Sequence, residues 1–354
     1  MLSSYLIVSA VLSATSMPII LGIARRNKLY DCTGDRKIHT GNIPRLGGIG
    51  IFWAFFIAAT AYPLLAETEL HRLFSGRVAN LAPFVIGAVL VHVIGFIDDV
   101  KGVQARIKLV FQIVAALVVV AGGGYRFLGF GYAPDALSGS LGWFSAVISV
   151  VWIVGMTNAV NLIDGLDGLA GGLSFIASIA FAAFYYLAGD TAASFLCLAL
   201  AGAIAGFLFV NFPAPKAKMF MGDSGSLFLG FSLSVIPFIG QSGATTTKTI
   251  GLLPAFVLLA IPAIDTLCAV VRRVAAHVSI ATPDRLHIHH RFFDNGFRPI
   301  TILGILYAAA ACLAIVFIVA SRLPAYLSFP VEMISLMIVG LLFRFAVSLT
   351  PKRT

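Results

Sequence analysis

Thr-Asn-Ala-Val-Asn-Leu-Ile-Asp-Gly-Leu-Asp-Gly-Leu-Ala-Gly-Gly, residues 157–172, lies between two apolar runs, 143–156 and 169–188. Asn158, Asn161, Asp164 and Asp167 recur in it at every third position. On a helix that spacing keeps neighbours roughly on one face. A solvated turn would also hold Asn and Asp, but a plain turn does not need four polar side chains in register. Amides and carboxylates at the end of a hydrophobic helix are costly unless they serve a function. The stretch therefore points to apolar helices with the chemistry gathered at their ends.

Composition agrees. Of 354 residues, 59% are hydrophobic and 11% charged, against roughly 25% charged in a soluble domain. The mean hydropathy is +0.98. Repeated apolar runs near 20 residues are long enough for a bilayer core of about 30 Å. The expected fold is an all-α polytopic membrane protein, one integral membrane domain over residues 1–354. Four cysteines, Cys32, Cys197, Cys268 and Cys312, are scattered without metal-ligand or disulfide spacing. The net charge of +9 fits basic cytoplasmic loops, and no nucleic-acid partner is expected.

The apolar runs 2–22, 47–66, 80–97, 104–121, 143–163, 169–188, 192–211, 225–240, 250–271, 300–320 and 325–346 give eleven expected spans. The first has no basic stretch before it and no cleavage pattern after it, so it reads as an uncleaved span. With the N-terminus outside, 19 of the 24 Lys and Arg fall in inside segments and 5 in outside ones. That split supports an outside N-terminus and a cytoplasmic C-terminus by the positive-inside rule. Most aspartates, including Asp98, Asp99, Asp164, Asp167, Asp223 and Asp265, then lie at the cytoplasmic side. A face holding both carboxylates and cations suits an anionic, metal-bound substrate. A transporter or scramblase of lipid-linked sugars would instead need polar residues along a path through the membrane.

Four further stretches carry chemistry. Asp98-Asp99 ends a hydrophobic run, and adjacent carboxylates repel unless they share a cation or proton; Lys108 and Gln112 follow one turn apart. Met219-Phe-Met-Gly-Asp-Ser-Gly-Ser226 is a Gly-rich loop opening a helix, where backbone N–H groups can receive phosphate and Asp223 can hold a hard cation. Asp284-Arg-Leu-His-Ile-His-His-Arg291 packs three His and two Arg into eight residues, a set better suited to diphosphate or sugar than to zinc. Arg36-Lys-Ile-His-Thr-Gly-Asn-Ile-Pro-Arg-Leu-Gly-Gly48 is a basic loop rich in Gly and Pro. A capped helix start, a solvated basic loop or a topogenic charge cluster would each explain one of these. Together they point to metal-assisted phosphoryl transfer involving a lipid.

In this order the motifs resemble those of the polyprenyl-phosphate N-acetylhexosamine-1-phosphate transferases, the superfamily of MraY and WecA. The resemblance runs from the basic loop to His290, and the His-Ile-His-His segment is similar to the WecA/TagO branch. It implies transfer of an N-acetylhexosamine-1-phosphate, GlcNAc-1-phosphate in that branch, from a UDP-sugar to undecaprenyl phosphate on the cytoplasmic face. The products are undecaprenyl-diphospho-GlcNAc and UMP, in the first membrane step of an envelope polysaccharide such as lipopolysaccharide or teichoic acid. The alternative within the superfamily is an MraY-type phospho-MurNAc-pentapeptide transferase.

Carried over by position, the resemblance implies that Asn161 and Asp223 hold Mg²⁺, with Mn²⁺ as a substitute. Asp98, Asp99, Lys108 and Asp164 fall at catalytic positions. Arg45, Asn158, Asp167, Phe220, His287, His289, His290 and Arg291 fall at substrate positions, with Asp167 and Phe220 on the uracil. It also implies a multi-pass protein of the bacterial inner (plasma) membrane and a homodimer. The pair Asp98-Asp99 departs from the longer DDxxD form, because Gly102 stands at the fifth position. A lipid phosphate, with a second pKa of about 6, is mostly ionised already and does not require a base.

Overall fold

Each apolar run forms a helix, the arrangement that satisfies its own N–H and C=O groups without water. The computed structural model describes residues 2–30, 43–65, 78–132, 141–213, 216–242, 249–279 and 286–348. They give α1 (Leu2–Arg26), α2 (Gly47–Leu65), α3 (Val78–Lys101), α4 (Ala105–Leu117), α5 (Phe144–Ile163), α6 (Leu169–Leu187) and α7 (Thr191–Asn211). Then follow α8 (Asp223–Ile239), α9 (Leu252–Leu258), α10 (Ala260–Ala275), α11 (Ile288–Asp294), α12 (Pro299–Ala320) and α13 (Ala325–Ser348). A π turn, Val118–Gly122, extends α4. No extended strand occurs among the described residues.

All eleven expected spans fall on helices. Eight helices among the described residues are long and apolar enough to cross a membrane, and the bent pair α9–α10 makes up to nine. The other two, α2 and α8, contain shorter apolar stretches, Gly47–Thr60 and Asp223–Ile239. The 17 residues of α8 extend only about 26 Å at 1.5 Å per residue. It does not meet lipid: every residue from Ser224 to Ile239 is buried, packed by α2, α3, α5 and α6. Apolar side chains lie outward elsewhere, as with Ile7, Val11 and Ile19 on α1 and Met337, Ile338 and Leu341 on α13. Water would disfavour such faces and lipid accepts them.

The stretch 250–271 reads in sequence as one span but is broken, with a bend of 93° between α9 and α10. Pro262 sits four residues after Leu258, where a continuous helix would need an N–H for the Leu258 carbonyl; its ring also clashes there. The start of α9 is tied to the loop between the π turn and α5. Leu252 N–H donates to the Gly129 carbonyl at 3.1 Å and Leu253 N–H to that of Phe130 at 2.9 Å.

Candidate active site

The last turn of α3 meets the first turn of α8. Gly95 allows it, because a Cβ there would overlap the backbone of Asp223 and Ser224. One turn later Asp99 reaches across: Oδ1 accepts the Asp223 N–H at 2.8 Å and Oδ2 the Ser224 N–H at 3.0 Å. A helix start leaves its first N–H groups without intrahelical partners, and Gly222, at the N-cap, has no side chain to satisfy them. Two turns before Asp99, the His92 ring Nδ1 donates to the Ser224 carbonyl at 3.1 Å. Its ring stacks on Phe52 with centroids 3.9 Å apart. Three positions on one face of α3 thus fix the residue next to Asp223.

Asp98 points the other way. Its Oδ1 accepts the Val103 N–H at 2.7 Å. Lys108 Nζ, on α4, lies 3.3 Å from Asp98 Oδ2 and 2.7 Å from Asp223 Oδ2. Oxygens of Asp98, Asp99 and Asp223 all lie within 4.8 Å of one another. This all-oxygen, hard donor set fits a magnesium-type cation. Both oxygens of Asp99 and one of Asp98 are taken by amides, which leaves Asp98 Oδ2 and the Asp223 carboxylate facing Lys108. Asn161 Nδ2 donates to Ser226 Oγ at 2.8 Å, leaving Oδ1 as the atom for a cation.

The polar register expected over 157–172 holds only for its first half. α5 stops at Ile163 and α6 begins at Leu169, with Gly168 left-handed between them at φ +80°. Asn158 and Asn161 are on helix; Asp164 and Asp167 are in the turn. Asn158 faces α4 and exchanges bonds with the buried amide of Gln112: Nδ2 donates to Gln112 Oε1 at 2.5 Å, and Gln112 Nε2 donates back at 3.3 Å. Burial, followed by the charges of Asp223, Asp167 and Asp99, raises the Asp164 carboxyl well above the usual carboxylate range. Burial also pushes Asp167 up to about 7, against the pull of Lys216.

The histidine segment closes over this turn. Asp265 on α10 is buried; Oδ2 lies 2.7 Å from His287 Nδ1 and Oδ1 accepts the Ile288 N–H at 2.9 Å. It orients His287 and caps α11 at once. His289 is 1% exposed, and neither ring nitrogen has a hydrogen-bond partner. Its Nε2 lies against Gly165, where a Cβ would press on it. Burial, then the charges of His290 and His287, holds His289 well below its ordinary pKa, so it stays neutral. The rings of His289 and His290 are 4.3 Å apart. Arg291 Nε donates to the Leu286 carbonyl at 3.1 Å. Asp284 and Arg285 lie outside the described residues, as do Arg36, Lys37 and His39.

Phe220 and Arg45 are brought in by backbone pairing. Phe220 N–H donates to the Pro44 carbonyl at 2.8 Å, and the N–H groups of Gly47 and Gly48 donate to Phe220 and Met221 at 3.0 and 2.8 Å. Arg45 thereby comes to lie beside Gly222. Sequence reading assigned nothing to Asn211, at the end of α7. Its Oδ1 accepts the Gly168 N–H at 2.8 Å and its Nδ2 donates to the Met219 carbonyl at 3.0 Å. The signal in sequence was only an amide ending an apolar run. His92 was likewise unassigned. Finally, an apolar groove of about 230 Å³ runs between α5 and the bent pair, lined by Val151, Gly155, Met156, Phe256, Ala263 and Leu267. Met156 and Gly155 place its wall within one turn of Asn158.

Residues 81–241 match the family described as Glycosyl transferase family 4. The chain is 32% identical over 312 residues to a probable undecaprenyl-phosphate N-acetylglucosaminyl 1-phosphate transferase of Bacillus subtilis, covering 86% of this chain and 82% of that protein. It is also 32% identical over 291 residues to the decaprenyl-phosphate N-acetylglucosaminephosphotransferase of Mycolicibacterium smegmatis, covering 74% of this chain and 68% of that protein. The undecaprenyl-phosphate alpha-N-acetylglucosaminyl 1-phosphate transferase of Escherichia coli K12 is 30% identical over 298 residues, covering 82% and 76%.

Proposed function

The chain belongs to glycosyl transferase family 4, together with the undecaprenyl-phosphate N-acetylglucosaminyl 1-phosphate transferases, and on that premise we propose that it transfers GlcNAc-1-phosphate from UDP-GlcNAc to undecaprenyl phosphate. The observation that carries the reading is the meeting of Lys108 with Asp98 and Asp223 at the end of α3 and start of α8. Asp164 and His289 stand on the adjoining turn. Carboxylates, a cation and imidazoles gather at one set of helix ends and not along a path through the bundle, which favours an enzyme over a transporter. The excess of Lys and Arg in the loops at this end supports a position at the cytoplasmic side of the bacterial plasma membrane.

An oxygen of the lipid phosphate attacks the β-phosphorus of the UDP-sugar. The bond from that phosphorus to the bridging oxygen breaks, and UMP leaves with the electron pair. A Mg²⁺ or Mn²⁺ ion, when bound, would supply neutralisation of the diphosphate charge. Asp223 and the Asn161 carbonyl oxygen would hold that ion, and Asp98 belongs to the same acidic cluster as Asp223. Lys108 is the cation that exchanges a carboxylate for an incoming phosphate. Asp98 orients the lipid phosphate, which needs no deprotonation at neutral pH. Asp99 acts through α8, because both its oxygens hold that helix start. Neutral His289, its nitrogens unpartnered, offers a hydrogen bond to the sugar diphosphate, flanked by His287, His290 and Arg291. Asp167 and Phe220 take the uracil, and Arg45 closes the nucleotide side. The apolar groove beside α5 takes the first isoprene units of the acceptor.

The test is UMP release by the purified protein with undecaprenyl phosphate and Mg²⁺, offered UDP-GlcNAc, UDP-GalNAc or UDP-MurNAc-pentapeptide in turn. Release that needs lipid and metal, with UDP-GlcNAc preferred, supports the reading. Preference for the pentapeptide donor would move the chain to the MraY-type reaction, and no release from folded protein with any donor would sink the assignment.

A further inference from the structure

Two side chains outside the sequence motifs grip the residue that follows Asp167. The Gly168 N–H donates to Asn211 Oδ1 at 2.8 Å, and the Gly168 carbonyl accepts the Tyr307 hydroxyl. The two peptide planes flanking Gly168 are therefore fixed from different helices, α7 and α12. Gly168 needs this, because at φ +80° a glycine backbone has many alternatives open to it. Tyr307 is seated closely: a Cβ on Gly172 would overlap its hydroxyl. Asn211 is buried, and its other end donates to the carbonyl of Met219 at 3.0 Å, the residue before Phe220. One amide thus spans the turn that carries Asp167 and the loop that carries Phe220. A buried amide with both ends paired is specific in geometry and costly when half satisfied.

We propose that Asn211 and Tyr307 are positioning residues that set the gap between Asp167 and Phe220, and with it the affinity for the uridine half of the donor. The proposal rests on the reading of Asp167 and Phe220 as uracil contacts. Neither Asn211 nor Tyr307 touches the nucleotide; each acts through the backbone it holds. A loosened turn weakens nucleotide binding and leaves the acceptor lipid, which meets other helices, unaffected.

The experiment compares full-length wild-type protein with Tyr307→Phe, Asn211→Asp, Asp167→Asn and Phe220→Leu. For each, the Kd of UMP is measured by calorimetry, along with kcat and the KM values for UDP-GlcNAc and undecaprenyl phosphate. Tyr307→Phe deletes one hydroxyl and keeps the ring. It is expected to raise the UMP Kd and the UDP-GlcNAc KM together by about three- to ten-fold, the range of one lost hydrogen bond. The KM for lipid stays unchanged and kcat stays within about two-fold. Asn211→Asp, which sets a carboxylate oxygen against the Met219 carbonyl, does the same more strongly. Unchanged UMP binding in both variants, with Asp167→Asn and Phe220→Leu still weakening it, overturns the proposal alone. A raised Kd and raised KM values for both substrates, together with a lower kcat and a lowered Tm, also overturn it, since they mark a purely structural role. Unchanged UMP binding in Asp167→Asn and Phe220→Leu sinks the uracil reading, and the proposal falls with it.

Discussion

Asp99 accepts the backbone N–H of Asp223 at 2.8 Å, from 124 positions earlier in the chain, and the next N–H at 3.0 Å. Asp99, the neighbour of Asp98, is thus the cap of α8. Replacing such an N-terminal cap costs about 1 kcal/mol, up to about 2. Asp99→Asn keeps one acceptor oxygen and turns an NH₂ toward an amide N–H. Its Tm should fall, and turnover should fall with it, because α8 carries Asp223. Asp98→Asn should lose turnover with Tm nearly unchanged. Equal Tm values for Asp99→Asn and wild type would remove the capping role.

Asp223→Asn separates chemistry from folding. The side chain contributes no cap of its own and meets Lys108. Its loss should lower kcat on the order of 10²-fold or more, the scale of removing one electrostatic stabiliser of a developing charge, while circular dichroism and Tm stay near wild type. Chelation of metal should stop UMP release from wild type, and added Mg²⁺ should restore it. Normal turnover by a folded Asp223→Asn protein would reject the metal assignment.

The helices and the clustering of chemistry at their ends were legible because apolar length and charge are local properties. The break before Pro262 was hidden by a continuous apolar run, which reads as one span. The regular spacing of Asn158, Asn161, Asp164 and Asp167 overstated the helix: α5 ends at Ile163 and the left-handed Gly168 starts α6, so only the two amides keep the α5 register. The division of labour within Asp98-Asp99 could not be read, because it depends on which oxygen meets a helix 124 residues away. Asn211 and His92 escaped for the same reason. Each is a single polar residue in an apolar run, and its partners are backbone atoms that no side-chain pattern marks.

Asp167 should make nucleotide binding depend on pH. Its folded pKa of about 7 lies above the ordinary value of 3.8, so the folded state favours the protonated form. Folding stability from this group is therefore fullest below about 4 and declines as pH rises through about 7. Binding runs the opposite way. Uracil presents an N–H, which the carboxylate accepts and the protonated acid accepts less well, so UMP affinity should rise between pH 6 and 8. Asp167→Asn should bind UMP more weakly and with a flat profile over that range. A slope that persists in Asp167→Asn would assign the titration to another group.

Gly155 tests where the acceptor lies. It lines the groove between α5 and the bent pair, and a Cβ on it would meet nothing within 4 Å. Gly155→Leu therefore fills the groove without straining the fold, and a leucine is at least as good a helix former as glycine. If isoprene units occupy the groove, Gly155→Leu should raise the KM for undecaprenyl phosphate by about four- to fifteen-fold, the loss of one or two buried methylene contacts at ~0.8 kcal/mol each. The UMP Kd should not move, because the uracil side is formed by α7, the turn before α6 and the Phe220 loop. A KM for undecaprenyl phosphate left unchanged by Gly155→Leu would place the lipid elsewhere on the bundle.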